Sequence, residues 1–502
     1  MPRPPAPLRH VQDLELLLVA HHPLVFVETQ EEDRAEVILE HVADRQSIPY
    51  LSWDPVAGLR PGGDADPIPD TKDPVPALDV VLDSPQEMLV HLRGFAVALD
   101  MPAIQARITE VHRRMWRNRG AVVMTGPSLA DLPPAMARLF TSVRLAPPSD
   151  EEYREYLAEL MRDLVKRKPI RVDISPEDAG RLVQRMRGLT FFEVKKVFTQ
   201  AIVENWRLDR AVVDRVLEAK QQVIQRSGVL ELTPVERTLS DVAGLENLKE
   251  WLGRRRVMFA APGQARQFGL SSPRGMLLLG VPGCGKSLCA RAVASEFGLP
   301  LVRLDPARLY QKYIGETEAN LRLAIRTSES MAPVVLFIDE IEKAFNPGQS
   351  SDSGVSQRVF GTFLSWMQDK PDDIFVVATS NDIENLPPEL LRKGRFDEIF
   401  FVDLPNCDVR RDILDIHLQR RQRDPRAFDL GRLATESEGF SGAELEQAVV
   451  SALYAAYADG VEVETEHLLR EVRNTKPLSV TMGERIARLR AWADGRAVRA
   501  GT

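Results

Sequence analysis

The run Gly280-Val281-Pro282-Gly283-Cys284-Gly285-Lys286-Ser287 fits the pattern G-x-x-x-x-G-K-[ST] without a gap. Its residue types suit the binding of phosphate. Glycines let successive backbone N–H groups turn toward one point, and those groups form an anion cradle with the N-terminus of a following helix. A lysine at this spacing reaches the β- and γ-phosphates of a nucleotide, and the adjacent hydroxyl ligates magnesium. Gly280, Pro282, Gly283, Cys284, Gly285, Lys286, Ser287 and Leu288 are therefore candidate nucleotide contacts, with Ser287 a candidate Mg2+ ligand. The flanking elements are the ones the loop requires. Met276 to Leu279 reads as a buried strand entering it, and Leu288 to Phe297 as the helix leaving it.

Three further groups follow in chain order. Val334 to Ile338 is an apolar run of strand length that ends in Asp339-Glu340. An acidic pair there is costly to bury without a cation nearby, so Asp339 is a second candidate metal ligand and Glu340 a candidate to polarise the attacking water. The strand Ile374 to Thr379 ends at Ser380-Asn381, where the Asn381 amide could orient that water. Arg392 and Arg395, in Leu390-Leu391-Arg392-Lys393-Gly394-Arg395-Phe396-Asp397, read as sharing one side of a helical turn. A guanidinium is planar, permanently charged and suited to phosphate oxygens.

The order and spacing of these four groups resemble those of AAA ATPases, nearest to the clade of proteasomal ATPases, katanin and NSF-like proteins. That resemblance implies ATP and Mg2+ as cofactors and a ring of identical subunits, a homohexamer. Arg392 and Arg395 would then act on ATP held by the neighbouring subunit, where such fingers contribute about 10³–10⁵ in rate. Leu239 to Leu245 resembles the segment that packs on adenine, which implies contacts from Asp241, Val242 and Gly244. Gly439 to Leu445 resembles the lid-helix start that closes over the nucleotide, which implies Gly442 and Ala443. Lys312-Tyr313-Ile314-Gly315-Glu316-Thr317-Glu318 resembles a first pore loop, with Lys312, Tyr313 and Ile314 at its tip and Tyr313 the aromatic that grips a translocating chain. Residues 346–354 are polar and glycine-rich, a candidate second pore loop.

Composition narrows the function classes. The chain has 502 residues, 65 basic against 73 acidic, for a net charge of −8, which argues against nucleic acid as a general partner. Three cysteines in such a length argue for a reducing, cytoplasmic setting rather than a disulfide framework. Leu14 to Val27 is apolar but interrupted by His21-His22-Pro23, and no membrane span is expected. Met1 to Leu8 is proline-rich, unlike a signal peptide.

The first half repeats the second in degraded form. Pro23 to Val27 reads as a strand and Glu31 to Val42 as a helix, yet the junction holds Glu28, Glu31, Glu32 and Asp33 in place of glycines and a lysine. Such acids would repel phosphate. Phe95 to Asp100 reads as a strand ending in one acid, and Ala121 to Gly126 stands where the Asn-bearing strand would. Ser149-Asp150 and Gly188 to Val194 parallel the lid segments after Phe400 and Gly439. The loop from Arg60 to Pro76, dense in Pro, Gly and Asp, is expected to be mobile and exposed.

The expected fold class is α/β: a three-layer P-loop NTPase (AAA) module with a helical lid, preceded by a degenerate, nucleotide-free AAA-like α/β module with its own lid. The expected division is a flexible 1–9, the degenerate domain 10–148, its lid and connector 149–238, the ATPase domain 239–405, its lid 406–476 and a tail 477–502. Over nearly its whole length the chain resembles the uncharacterised AAA proteins named after a hypothetical chloroplast reading frame, most specifically in Leu386 to Phe401 and in Pro477 to Met482 with Trp492-Ala493. Three uses of ATP turnover stay open: threading a protein client past Tyr313, an ATP-gated switch that binds a partner, and a nucleic-acid motor, against which the acidic balance counts. A thiol at a helix N-terminus tends toward a lowered pKa, which raises the idea of a redox-sensitive Cys284, although a small residue filling a small slot is the favoured reading.

Overall fold

The computed structural model describes residues 8–501, apart from 63–64, 85–86, 119, 227, 236–237, 310–315, 346–352 and 393. Lys312, Tyr313 and Ile314, and most of the second candidate pore loop, lie outside the described residues. The chain divides into two compact units, Met1–Lys220 and Gln221–Thr502.

In the second unit a seven-stranded sheet runs in the order β15-β14-β10-β13-β12-β11-β9. Its strands are β9 (Leu230–Thr233), β10 (Gly275–Gly280), β11 (Leu301–Leu304), β12 (Val334–Ile338), β13 (Ile374–Ser380), β14 (Glu398–Val402) and β15 (Val498–Arg499). All neighbouring pairs are parallel except β11 with β9. Strands covered on both faces read as unbroken apolar runs, and β10, β12 and β13 are buried at every position. Side chains alternate between faces: Met276, Leu278, Val335, Phe337, Phe375 and Val377 share one core with Leu248, Leu252, Ala290 and Val293 of the helices Glu246–Ala260 and Lys286–Phe297. A separate lid core joins the helices Cys407–Arg420, Leu430–Glu436, Gly442–Ala458 and Thr465–Asn474.

The first unit has a six-stranded sheet, β3-β2-β4-β5-β1-β6. The strands are β1 (Leu24–Glu28), β2 (Tyr50–Asp54), β3 (Gly58–Pro61), β4 (Leu89–Leu92), β5 (Ala121–Gly126) and β6 (Thr141–Arg144). The five parallel strands β2-β4-β5-β1-β6 follow the connectivity of β11-β12-β13-β10-β14, so the two sheets share a topology. A small pair, β7 (Arg171–Val172) with β8 (Arg207–Leu208), belongs to its lid. Both lids open their third α-helix with the same capping box: Thr190 with Glu193, and Ser441 with Glu444.

Two expectations need correction. Phe95–Asp100 is a 3-10 helix; the strand is Leu89–Leu92, followed by Arg93 and a left-handed Gly94. The division lies within the helix Arg210–Arg226 rather than at residue 238, because Leu230 and Leu232 pair with Leu304 and Val302 of the second sheet. The described residues of the loop after Arg60 are mostly exposed, as expected, with one anchor: buried Thr71 accepts from Leu59 N through its hydroxyl and from Trp53 Nε1 through its carbonyl. The described residues of the tail, 477–501, include the helix Gly483–Ala493 and β15, with Ala500 fully buried.

Candidate active site

Lys286 begins the helix Lys286–Phe297, preceded by a loop in which Gly280, Gly283 and Gly285 all have positive φ. Gly280 lies against β14, and an added Cβ would collide with the Val402 carbonyl. Gly283 touches the lid, its carbonyl accepting from Ala443 N at 3.0 Å. The Lys286 ammonium curls back on this loop, donating to Gly280 O (3.0 Å) and Val281 O (2.7 Å). Burial pushes its pKa down to about 8, against the pull of Cys284, Glu342 and Asp339.

A cavity of about 540 Å³ opens over this loop. Its walls include Gly283, Cys284, Gly285, Lys286, Ser287 and Leu288 from the loop and helix, Asp339 and Asn381 from strand ends, Asp241 and Val242, and Gly442 and Ala443 of the lid. Gly280, Pro282 and Gly244 shape the backbone but do not line it. The Asp241 carboxylate accepts from Thr238 N and from Arg420 Nη2 (2.9 Å), which hold its pKa down at about 2. Leu404 and Pro405 complete the wall on that side.

The polar end is a network of short contacts. Ser287 Oγ donates to Asp339 Oδ1 (3.2 Å), and Thr379 Oγ1 donates to the same oxygen at 2.6 Å. Arg303 of β11 pairs with Asp339 Oδ2 at 3.2 Å. Glu340 sits in the left-handed region with φ 50°, its N–H bonded to Thr379 Oγ1. That conformation costs about 1 kcal/mol or more in a non-glycine residue and is held by the threonine. Glu340 Oε1 accepts from Asn381 Nδ2 (3.1 Å), while Oε2 pairs with Lys343 at 2.5 Å, which lowers its pKa and keeps it ionised. Thr379, Arg303 and Glu342, whose Oε1 accepts from Asn381 N, were not singled out by sequence reasoning. A hydroxyl at the strand position before Ser380-Asn381 was the available signal for Thr379.

A hard divalent cation takes oxygen ligands and keeps several waters, so one carboxylate and one hydroxyl facing bound phosphates suffice for Mg2+. The convergence of Ser287 Oγ and Asp339 fits that need. Among the described residues no group of three or more His, Cys, Asp or Glu is poised to hold a metal alone.

Arg392 and Arg395 do not line the cavity of their own chain. They do not share a helical turn either: Arg392 is extended (ψ 137°) at the end of the 3-10 helix Pro388–Leu391, and Gly394 (φ 96°) turns the chain before Arg395. Arg395 lies against the Gln368 amide, whose oxygen accepts from Nη1 at 2.5 Å. Asp397 locks the turn by accepting from Arg274 N and Gly275 N, and Arg274 Nη1 donates to Gly394 O. The lowered thiol pKa considered for Cys284 is not found. Burial pushes its thiol up to about 12, so it stays protonated and a poor nucleophile.

The first unit carries the opposite charges at matching positions. Leu92 pairs with Met124 and Ile338 with Ala378, so Arg93 stands next to Thr125 as Asp339 stands next to Thr379. Glu32 begins its helix as Lys286 begins the other. Arg93 pairs with Asp33 (2.7 Å) and Glu36 (2.6 Å) and lies 3.8 Å from Glu32, so the acids are neutralised from within. Glu31 accepts from Phe191 N of the lid, and buried Arg34 joins Glu31, Glu152 and the Ala146 carbonyl. These bonds occupy the loop-to-lid position that Gly283 and Ala443 hold in the second unit.

The comparisons agree with this division. The family model "ATPase family associated with various cellular activities (AAA)" matches residues 276–404, and "AAA+ lid domain" matches 427–470. Residues 10–145 match "SpoVK-like AAA ATPase, N-terminal domain" and 151–227 its "second domain". An uncharacterised AAA domain-containing protein ycf46 of Pyropia yezoensis is 35% identical over 497 residues, 98% of this chain and 99% of that one. The ycf46 protein of Guillardia theta is 33% identical over 97% of this chain and 96% of its own. A proteasome-activating nucleotidase of Aeropyrum pernix is 37% identical over 244 residues, 47% of this chain and 59% of its own. Among the described residues no helix is long and apolar enough to cross a membrane. The chain belongs to the AAA family of ATPases, and within it to the uncharacterised ycf46-type AAA domain-containing proteins.

Proposed function

We propose that this chain is a Mg2+-dependent ATPase that works as a homohexameric ring in the cytoplasm and remodels a protein client. The observation that carries the reading is the meeting of Ser287, Asp339, Glu340 and Asn381 at the end of a cavity floored by the phosphate loop. Lys286 would leave the loop carbonyls to meet the β- and γ-phosphates. Ser287 and Asp339 would hold a magnesium ion, which supplies charge neutralisation between those phosphates. Glu340 and Asn381 would orient a water whose oxygen bonds to the γ-phosphorus as the bond to the β–γ bridging oxygen breaks. The water's proton passes to Glu340, and ADP and phosphate leave. Arg392 and Arg395 would reach the γ-phosphate of the neighbouring subunit, in keeping with their place outside their own cavity.

The lysine gives this reading a pH signature. Free Lys286, at about 8, is mostly neutral at pH 9, and phosphate restores its charge. Well below pH 8 the lysine is already mostly protonated and binding takes up little, whereas above it binding draws a proton in. Calorimetry of MgATP binding in buffers of differing ionisation enthalpy should find uptake of roughly 0.9 proton at pH 9 and roughly 0.1 at pH 7. Equal uptake at both pH values would mean that Lys286 is not the phosphate contact.

A second reading, an ATP-gated partner switch, is favoured by the first unit, whose internally paired charges suit a docking body more than an engine. Tyr313→Ala separates the two. Threading requires that this variant keep ATP turnover but lose client processing, measured on a partner captured from lysate by an ATP-trapped form. Retained processing would favour the switch.

A further inference from the structure

Asn381 is held from two sides by charged side chains of distant elements. Glu342, buried, accepts from its backbone N–H at 3.0 Å. Arg485, on the helix Gly483–Ala493, donates through Nη2 to its carbonyl at 3.3 Å and pairs with Asp382 Oδ2 at 3.2 Å. Fixing the peptide groups on both sides of its Cα restricts where the Asn381 side chain can aim, and that side chain donates to Glu340. Hydrogen bonds with a charged partner are the stronger kind.

The helix that carries Arg485 is itself anchored. Arg490 Nε donates to both oxygens of Asp403, at 3.0 and 2.9 Å, and Asp403 lines the nucleotide cavity. Beyond the helix, β15 runs parallel to β14, with Ala500 N donating to Phe401 O and Ala500 O accepting from Leu248 N. Asn247 Nδ2 donates to Arg499 O (3.0 Å) and Gly501 O (3.3 Å). Arg499 and Gly501 line the same cavity. Residues 483–501 therefore touch the site at its catalytic end and again beside Asp241 and Leu245, and Arg485 is delivered from a fixed base.

We infer that Arg485 is a positioning residue for ATP turnover, acting through the Asn381 backbone to keep its amide on Glu340 and the attacking water. The inference rests on the ATPase mechanism above. Arg485 touches neither the phosphate loop nor the base side, so its loss should appear in the chemical step and not in binding.

The test is steady-state ATPase kinetics on the full-length protein with Mg2+, alongside nucleotide affinity and thermal midpoint, for wild type, Arg485→Ala, Arg485→Lys and Arg488→Ala. Arg488 sits on the same helix and pairs with Glu384, both largely exposed, so it controls for changes in the helix itself. Arg485→Ala is expected to lower kcat by roughly 5- to 30-fold, with KM, ATP affinity and Tm close to wild type. Arg485→Lys should recover part of the loss, and Arg488→Ala should match wild type. A wild-type kcat in Arg485→Ala, or an equal loss in Arg488→Ala, would overturn the positioning role while leaving the ATPase mechanism intact. A wild-type protein that binds MgATP but never turns it over would overturn the mechanism, and this role with it.

Discussion

Glu340→Gln is expected to lower kcat by about 10²-fold or more while ATP affinity stays within about twofold. The substitution preserves shape, and a glutamine oxygen can still accept from Asn381 Nδ2. It removes the negative charge that takes the water's proton. Several features favour the proposed role of Glu340 as the base over that of a structural acid. Its Lys343 partner keeps it ionised, whereas burial pushes neighbouring Glu342 up and leaves one of its oxygens without a partner. Its left-handed backbone turns the carboxylate away from the ordinary strand-end direction. A protein idling with ATP in place is also the form in which to capture a client. Rapid-quench measurement of ADP formed per site, with fluorescent-nucleotide affinity in parallel, decides the matter. If the glutamine variant hydrolyses ATP at the wild-type rate, the base lies elsewhere and the role assigned to this acidic pair is wrong.

The ATP site was legible because its chemistry is local. Eight consecutive residues build the loop, and the strands that frame it, being covered on both faces, read as apolar runs. Legibility failed where long-range contacts decide. The strand Leu89–Leu92 carries His91, a residue type that does not announce a core position, yet His91 is buried and neutral, burial driving its pKa down to about 3, with Tyr50 and Thr125 as partners. Phe95–Asp100 reads as a strand, but left-handed Gly94 precedes it and Val97 is 83% exposed. Four acids near residue 30 read as repulsion alone, because Arg93, Arg144 and Arg34, which pair with them, come from two other strand ends and from the helix interior. β15 is two residues long, and no local pattern could place it beside β14. The lowered thiol pKa considered for Cys284 was a rule about helix termini, and at this site burial outweighs it.

Arg392→Ala should be as silent as Glu340→Gln, for a different reason, and mixing the two distinguishes a shared site from a self-contained one. Arg392 is exposed at the end of the 3-10 helix Pro388–Leu391 and lines no part of its own cavity, so on its own chain it has nothing to stabilise. In a ring it would project at the next subunit's γ-phosphate, where an arginine is worth about 10³–10⁵ in rate. ATP affinity should change little, because the loop, Lys286 and the base side are untouched. In rings reassembled from equal amounts of the two variants, an active site needs the glutamate of an Arg392→Ala subunit and the arginine of a Glu340→Gln neighbour. Random assembly makes that pairing at about a quarter of sites, so roughly a quarter of wild-type turnover should return. Pre-assembled rings that cannot exchange subunits should stay silent when mixed. A self-contained site predicts silence in both cases, since each chain would then lack one essential group. Turnover by Arg392→Ala alone at the wild-type rate would remove the trans-acting arginine outright, and the lack of any recovery on reassembly would return Arg392 to its own chain.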